Sequence, residues 1–210
     1  MKSKTALVQD YWDKHSDLFG DYYKNPTWFD RTFRKAIFLR AIIAIDVCKQ
    51  LPNPSVLDIG SGPGMNSVAF AKKGGASRLT GVDLAPNMID LARRHAASEN
   101  IGDRCEFIEG DFMQRDFEPG GFDLAVALGV FDYIGEPQAF LNKMRRVAKK
   151  ALVASWPENG LRMLLRKMRY ACPVYSYTEP QIRELHQKAG MENVELIKIP
   201  GGWVSKATPI

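Results

Sequence analysis

The 210-residue sequence predicts a doubly wound α/β domain: a seven-stranded, mostly parallel sheet with helices on both faces. Three observations carry that expectation. Val56, Leu57 and Ile59 read as a buried strand that stops abruptly in Gly60-Ser61-Gly62-Pro63-Gly64, after which Met65 to Lys73 takes helical spacing. Strand-length apolar runs and helical runs then go on alternating, the pattern of βαβ units. Asp83 closes the second strand beside the glycine turn, where the ligand crevice of an open parallel sheet lies. With 45% hydrophobic residues the chain is long enough for one well-packed domain and short for two. Residues 1–50 read as a helical cover belonging to that domain, and residues 51–210 as its core, with a basic insertion at about 157–176.

The elements follow in order. Residues 5–24 hold Tyr11, Trp12, Phe19, Tyr22 and Tyr23 among charged residues, too aromatic for a disordered tail. Phe33 to Gln50 has helical spacing through Ile37, Ala41, Ala44, Ile45 and Cys48, and ends near Pro52 and Pro54. Arg78 to Asp83 reads as the second strand, and a helix opens at Pro86, whose missing N–H needs no partner in a first turn. Cys105 to Glu109 alternates as a third strand and closes at Gly110-Asp111-Phe112. Phe122 to Leu128 is a fourth, near-continuously apolar because both of its faces are covered. Pro137 to Ala148 returns to helical spacing, and Ala151 to Trp156 is a fifth strand stopped by Pro157. A helix capped by Thr178, with Pro180 just inside, runs to Gly190, and Val194–Ile199 and Trp203–Thr208 read as a terminal hairpin.

The glycine register discriminates between ligands. A hydride-transfer nucleotide fingerprint wants Gly or Ala where Met65 stands. Here the run is acid-x-Gly-x-Gly-x-Gly, from Asp58 through Gly60, Gly62 and Gly64, and the sequence resembles the class I S-adenosylmethionine-dependent methyltransferases of small-molecule type. The resemblance spans residues 50–200 in element order, with the specific motifs in 56–133. It implies a Rossmann-like methyltransferase fold, S-adenosyl-L-methionine as cofactor, and a set of roles. Gly60, Ser61, Gly62 and Gly64 give close backbone approach, and Asp58 meets the methionine ammonium directly or through water. Asp83 takes the ribose hydroxyls, with Leu84 and Met88 beside it, and Asp111 with Phe112 takes the adenine. Leu128, Gly129 and Val130 line the methyl-donor side, and an N-terminal segment lies over the pocket. In that segment Tyr11, Trp12 and Tyr23 either contact cofactor or substrate or anchor the cover helix.

Composition narrows the classes. A charge of +5 from 29 basic and 24 acidic residues is a mild excess that does not indicate nucleic-acid binding. Cys48, Cys105 and Cys172 are odd in number and lack metal-ligand spacing, so no disulfide framework and no metal site is expected; a reducing cytoplasm fits. No run approaches a transmembrane span, and no signal-peptide core is present. The fourth strand is followed neither by Asn/Asp-Pro-Pro-Tyr/Phe nor by Pro-Cys, which counts against amide, adenine and cytosine-carbon methylation. The chain length leaves no room for a recognition domain and favours a small acceptor.

Methyl transfer demands alignment more than a catalytic triad, so the acceptor side leaves a thinner signature. Asp132 and Tyr133, after the fourth strand, are the candidate acceptor-orienting groups, with Phe131 and Tyr11 as substrate contacts. Among the three histidines His15 is the candidate base, His95 and His186 being read as surface residues. In the basic segment Arg162, Arg166 and Arg169 share one helical face and Leu161, Leu164, Leu165 and Met168 the other. That is either a solvated face or, through Arg162 and Arg166, a contact for an acidic or membrane-associated acceptor. Two other classes stay open at this point, a nicotinamide-dependent oxidoreductase and a non-catalytic module that binds S-adenosylmethionine.

Overall fold

The computed structural model of the chain describes residues 3–15 and 35–209. Helix α1 (Lys4–Lys14) is capped by Ser3, and the next helix among the described residues is α2 (Lys35–Lys49). Then come β1 (Ser55–Ile59), α3 (Met65–Lys73), β2 (Arg78–Asp83), α4 (Pro86–Ser98), β3 (Cys105–Glu109) and β4 (Phe122–Ala127). The chain closes with α5 (Pro137–Val147), β5 (Ala148–Pro157), α6 (Leu161–Arg169), α7 (Glu179–Lys188), β6 (Met191–Ile199) and β7 (Gly202–Pro209). Phe19, Tyr22, Tyr23 and Phe33 lie outside the described residues.

The strands form one seven-stranded sheet in the order β3-β2-β1-β4-β5-β7-β6. Pairing is parallel from β3 through β5, and β7 runs antiparallel to both β5 and β6. Handedness explains the layers. From β1 the chain steps outward to β2 and β3, and right-handed crossovers put α3 and α4 on one face. It then returns past β1 to β4 and β5, so the same handedness puts α5 on the other. The period of two in each strand feeds both cores. Val56, Leu79, Leu124 and Val126 pack with α2, α3 and α4, whereas Leu57, Val82, Ala125 and Leu152 pack with α5 and α7. The direction of travel reverses at β1 and β4, and the crevice outside their C-terminal ends is the switch point of the sheet.

Strand and helix limits agree with the sequence reading to within a residue or so except at the end of the chain. β5 begins at Ala148, three residues before the expected Ala151. β6 begins at Met191, not Val194, because its pairing shifts register between Glu192 and Glu195, where Asn193 takes φ 50° and breaks the alternation. The α7 cap is as expected: Thr178 and Gln181 make a reciprocal capping box, with Pro180 in the first turn.

His186 corrects a further expectation. It is not a surface residue but 0% exposed, packed at 5.5 Å from the Trp156 ring, because α7 turns this face onto the sheet. Its Nδ1–H donates to the Ile182 carbonyl at 2.8 Å, and Nε2 is buried without a partner among the described residues. Burial lowers its pKa, so the native state keeps it neutral. The sign follows: stability is whole above the ordinary histidine pKa of about 6.5 and falls as pH drops below it, because only the unfolded chain takes up the proton there. His186→Leu is expected to flatten the fall in urea midpoint between about pH 7 and pH 5 relative to the parent protein.

Candidate cofactor and acceptor cavity

Beyond the C-terminal ends of β1, β2 and β4 lies a cavity of about 1690 Å³. Its floor is the glycine turn. Gly60, Gly62 and Gly64 all take positive φ, at 69°, 52° and 76°, which residues with a Cβ enter at a cost. Gly60 has a second reason to be glycine: a Cβ there would sit 2.5 Å from Val130 Cγ2. Gly64 serves packing instead, since its missing Cβ lets α3 approach Ala92 and Phe107; it is not part of the cavity wall. The turn is fixed to the neighbouring strand. Gly60 and Ser61 N–H donate to the Val82 carbonyl at 2.8 and 3.1 Å, and Gly62 N–H donates to Asp83 Oδ2 at 2.8 Å.

Two carboxylates line the cavity beside this turn. Asp83 Oδ1 accepts from Ala85 N–H at 3.0 Å, and burial raises the Asp83 pKa against the pull of these N–H groups. A carboxylate has about four acceptor sites, so both oxygens keep capacity toward the cavity. Asp111 accepts from Met113 N–H at 2.8 Å through Oδ1, and Oδ2 is without a partner among the described residues. Leu84, Met88 and Phe112 line the same end, and Leu128, Gly129 and Val130 the other. Ser61 Oγ is buried with no partner among the described residues, and open space lies where a Gly62 Cβ would project. An orphaned hydroxyl, an unfilled cradle and two acceptor carboxylates fit a ligand that brings hydroxyl and amine donors.

Asp58 is placed otherwise. It is 1% exposed, does not line the cavity, and accepts from the Ser67 hydroxyl at 2.6 Å, tying β1 to α3 beneath the turn. Burial pushes its carboxyl up to about 7, with the Ser67 bond opposing and Asp83 adding to the shift.

Opposite the turn the wall is aromatic. Tyr11 and His15 of the α1 segment stack at 4.4 Å, Tyr11 stacks on Tyr170 at 4.8 Å, and Trp12 meets Tyr133 edge-on at 5.7 Å. His15 Nδ1 lies 2.7 Å from the Tyr11 carbonyl, which can only accept, so Nδ1 carries a hydrogen and donates it there. Burial and then Tyr170 push the Tyr11 hydroxyl up to about 12. Arg166 of α6 pairs with Asp132 Oδ1 and donates to Tyr133 Oη at 3.0 Å. Burial works against the Arg166 charge, but Asp132 and Tyr133 more than offset it and hold its pKa above the ordinary value. Burial also raises Tyr133 strongly, against the pull of Arg166.

Phe131 is corrected. It is fully buried and packs tilted against Trp156, ring centroids 3.8 Å apart, in the core, because the short 3-10 turn Phe131–Tyr133 points it under the sheet's end while Asp132 and Tyr133 face the cavity. Nor is the Arg166 side of α6 solvated. Arg166 turns inward to buried Asp132, and Leu164, Leu165 and Met168 are left 54%, 55% and 78% exposed. The Arg162 side chain lies outside the described residues. Sequence reasoning missed Ser155, whose hydroxyl accepts from Gly129 N–H at 2.7 Å and fixes the turn after β4. A polar residue within an apolar strand was its signal. It also missed Tyr170, and Arg40 of α2.

Residues 56–151 match a family model described as a methyltransferase domain, a stretch that runs from β1 into β5. That stretch carries the glycine turn, Asp83 and Asp111, and the seven-stranded sheet has the fold of solved methyltransferases. Among solved structures, magnesium protoporphyrin IX methyltransferase from Synechocystis PCC 6803, with bound S-adenosylhomocysteine, aligns at TM-score 0.81 over 99% of this chain and 100% of that one, at 19% identity. Sterol 4-C-methyltransferase of Caenorhabditis elegans is 34% identical over 97 residues, 46% of this chain and 28% of that protein. Ubiquinone biosynthesis O-methyltransferase of Xanthomonas campestris is 27% identical over 146 residues, 69% of this chain and 54% of its own length. The chain thus spans between a quarter and about half of the curated relatives it matches.

Gly60→Ala is expected to destabilise the fold by about 1–3 kcal/mol through φ strain and the Val130 contact. Adding Val130→Ala should recover the contact part and leave the strain, which paired thermal melts of the single and double variants would resolve.

Proposed function

We propose that this chain is an S-adenosylmethionine-dependent methyltransferase acting on a small-molecule acceptor. The observation that carries the reading is the convergence of the glycine turn, Asp83 and Asp111 on one cavity. The bound cofactor would supply a methyl group on a sulfonium, open to in-line attack, with a neutral thioether as leaving group. Gly60, Ser61 and Gly62 offer backbone and hydroxyl contacts, with Leu128, Gly129 and Val130 on the methyl-donor side. Asp83 accepts from the ribose hydroxyls, beside Leu84 and Met88, and Asp111 with Phe112 holds the adenine. Asp58, facing Ser67, reaches the ammonium only through the turn or a water. A nicotinamide reading leaves Asp111 without a use and places Met65 at the wrong point of the turn.

The acceptor lies between the turn and the aromatic wall. His15 takes the proton of a hydroxyl or amine acceptor at Nε2, its Nδ1–H held by the Tyr11 carbonyl. Asp132, Tyr133 and Tyr11 orient the acceptor. Arg166 favours an acidic group on it, which would share the guanidinium with Asp132; five donors on a planar fork allow both contacts. The exposed apolar face of α6 leaves a membrane-associated acceptor as a second source, although no helix among the described residues is long and apolar enough to cross a membrane. Free Cys48, Cys105 and Cys172 support a reducing, cytoplasmic setting. Residues 1–50 act as the cover of the domain through α1, while α2 belongs to the layer beneath the sheet.

Two measurements test the reading. Titration calorimetry with S-adenosylhomocysteine should give binding that Asp83→Ala weakens by about tenfold or more, the loss of a charge-assisted pair. Affinity within about twofold of the parent would remove the ribose assignment. Tritiated-methyl transfer to a panel of hydroxyl, amine and carboxylic acceptors should then yield product; none with any acceptor would favour a non-catalytic binding module. For a hydroxyl or amine acceptor, His15→Gln is expected to lower kcat by about 100-fold at unchanged cofactor affinity. For a carboxylate acceptor, already ionised, it should leave kcat nearly intact.

A further inference from the structure

Between β1 and β5 the chain crosses from strand to strand through α3, α4 and α5, except once. The connection from β3 at the sheet's edge to β4, residues 110–121, has no helix of its own. A crossover without a helix lacks the hydrogen bonds a helix makes for itself, so its backbone groups must be held from outside. This is also the connection that carries Asp111 and Phe112 to the cavity.

The group that holds it is Lys143, half-buried on α5. Its Nζ donates to the Met113 carbonyl at 3.1 Å and to the Arg115 carbonyl at 2.5 Å, and stands 5.1 Å from the centre of the Phe112 ring. An ammonium offers three donors and a compact charge, which suits two carbonyls and a ring face at one point. Burial lowers the Lys143 pKa, against the pull of Asp116 and, less, of Asp111. The two carbonyls belong to a turn built on Asp111. Its carbonyl accepts from Gln114 and Arg115 N–H at 3.0 Å each, and its Oδ1 accepts from Met113 N–H at 2.8 Å. Asp111 is thus part of the turn through Oδ1, and the direction left to Oδ2 is set by the turn. Phe112 is fixed from the same side, its ring centre 5.1 Å from that of Phe140 on α5. Lys143 itself does not line the cavity, so what it does there it does through Asp111 and Phe112.

We propose that Lys143 is a positioning residue for the base of the cofactor: by holding the turn at Met113 and Arg115 it aims Asp111, and so sets a preference for adenine over a purine that lacks the exocyclic amine. The assignment rests on the cofactor placement given above. A carboxylate accepts from that amine and finds no donor where hydrogen replaces it, so the preference between the two bases reads the aim of Asp111 directly.

The test is calorimetric and needs no acceptor. The full chain is titrated with S-adenosylhomocysteine and with its analogue in which hydrogen replaces the exocyclic amine. The parent protein should prefer the adenine ligand by about tenfold or more, the range of a hydrogen bond to a charged group. Lys143→Met keeps the apolar stem and removes the ammonium. It should bring the two ligands within about threefold of each other, chiefly by weakening S-adenosylhomocysteine, while a thermal melt still shows a cooperative fold. If Lys143→Met does not fold, Lys143→Gln is read by the same criterion. The proposal is overturned if the folded variant keeps the parent's preference, whether at unchanged affinity or with both ligands weakened alike, the mark of a packing role. Those outcomes leave the parent's own preference intact. Absence of S-adenosylhomocysteine binding to the parent, or binding without preference between the two ligands, would instead overturn the placement of adenine at Asp111, and this assignment with it.

Discussion

The structure depends on the way the end of β1 is stitched to the end of β2. Three consecutive N–H groups, of Gly60, Ser61 and Gly62, are spent on Val82 and Asp83, so a loop that would otherwise be floppy is held by strand-quality hydrogen bonds. This has a chemical consequence. Asp83 is at once a structural acceptor for the turn and a carboxylate facing the cavity, and the N–H groups that bind it partly offset the burial that would protonate it. Asp58 has one such bond, from Ser67, and its carboxyl is pushed to about 7. Burial thus raises both acids near this turn, Asp83 against several backbone dipoles and Asp58 against a single hydroxyl.

A second stitch closes the opposite wall. The sheet alone would leave the cavity open above β4 and β5. Arg166 ties α6 to Asp132 and Tyr133 in the turn after β4, while Tyr170, at the end of α6, stacks on Tyr11 of α1. Two segments far apart in sequence thus meet over the site through one ion pair and a set of ring contacts. Such a wall can exchange partners without unfolding the core, since the residues beneath it, Phe131 and Trp156, are packed independently into the sheet layer. Placing the ion pair at 8% side-chain exposure of Asp132 makes it costly to break one partner at a time, so α6 and the turn after β4 are coupled.

The core of this arrangement was legible because it is written in local signals. Strand, glycine turn, helix and acid come in a fixed register, and β1 to β4 with α3 and α4 fell where spacing put them. The cover was less legible, for physical reasons. In α6 the arginine face reads as solvated unless a buried counter-charge exists, and that counter-charge, Asp132, is 34 residues away in sequence. Phe131 adjoins two cavity residues, but a 3-10 turn rotates it the other way. His186 sits among charged residues whose helix happens to bring it onto Trp156. In each case the deciding contact is tertiary, and one sequence carries no mark of it.

Charge along the crevice gives the last step. Asp58, Asp83, Asp111 and Asp132 all lie at or just behind the ends of neighbouring strands, in a chain whose net charge is +5. A site that concentrates acids inside a basic protein creates a local field opposite in sign to the whole. That field suits a cationic ligand that presents hydroxyl and amine donors. Arg166 is the local exception: answered by buried Asp132 and reaching Tyr133, it keeps a positive head group on the wall opposite the acids of the turn, so the described part of the cavity is polarised from one side to the other.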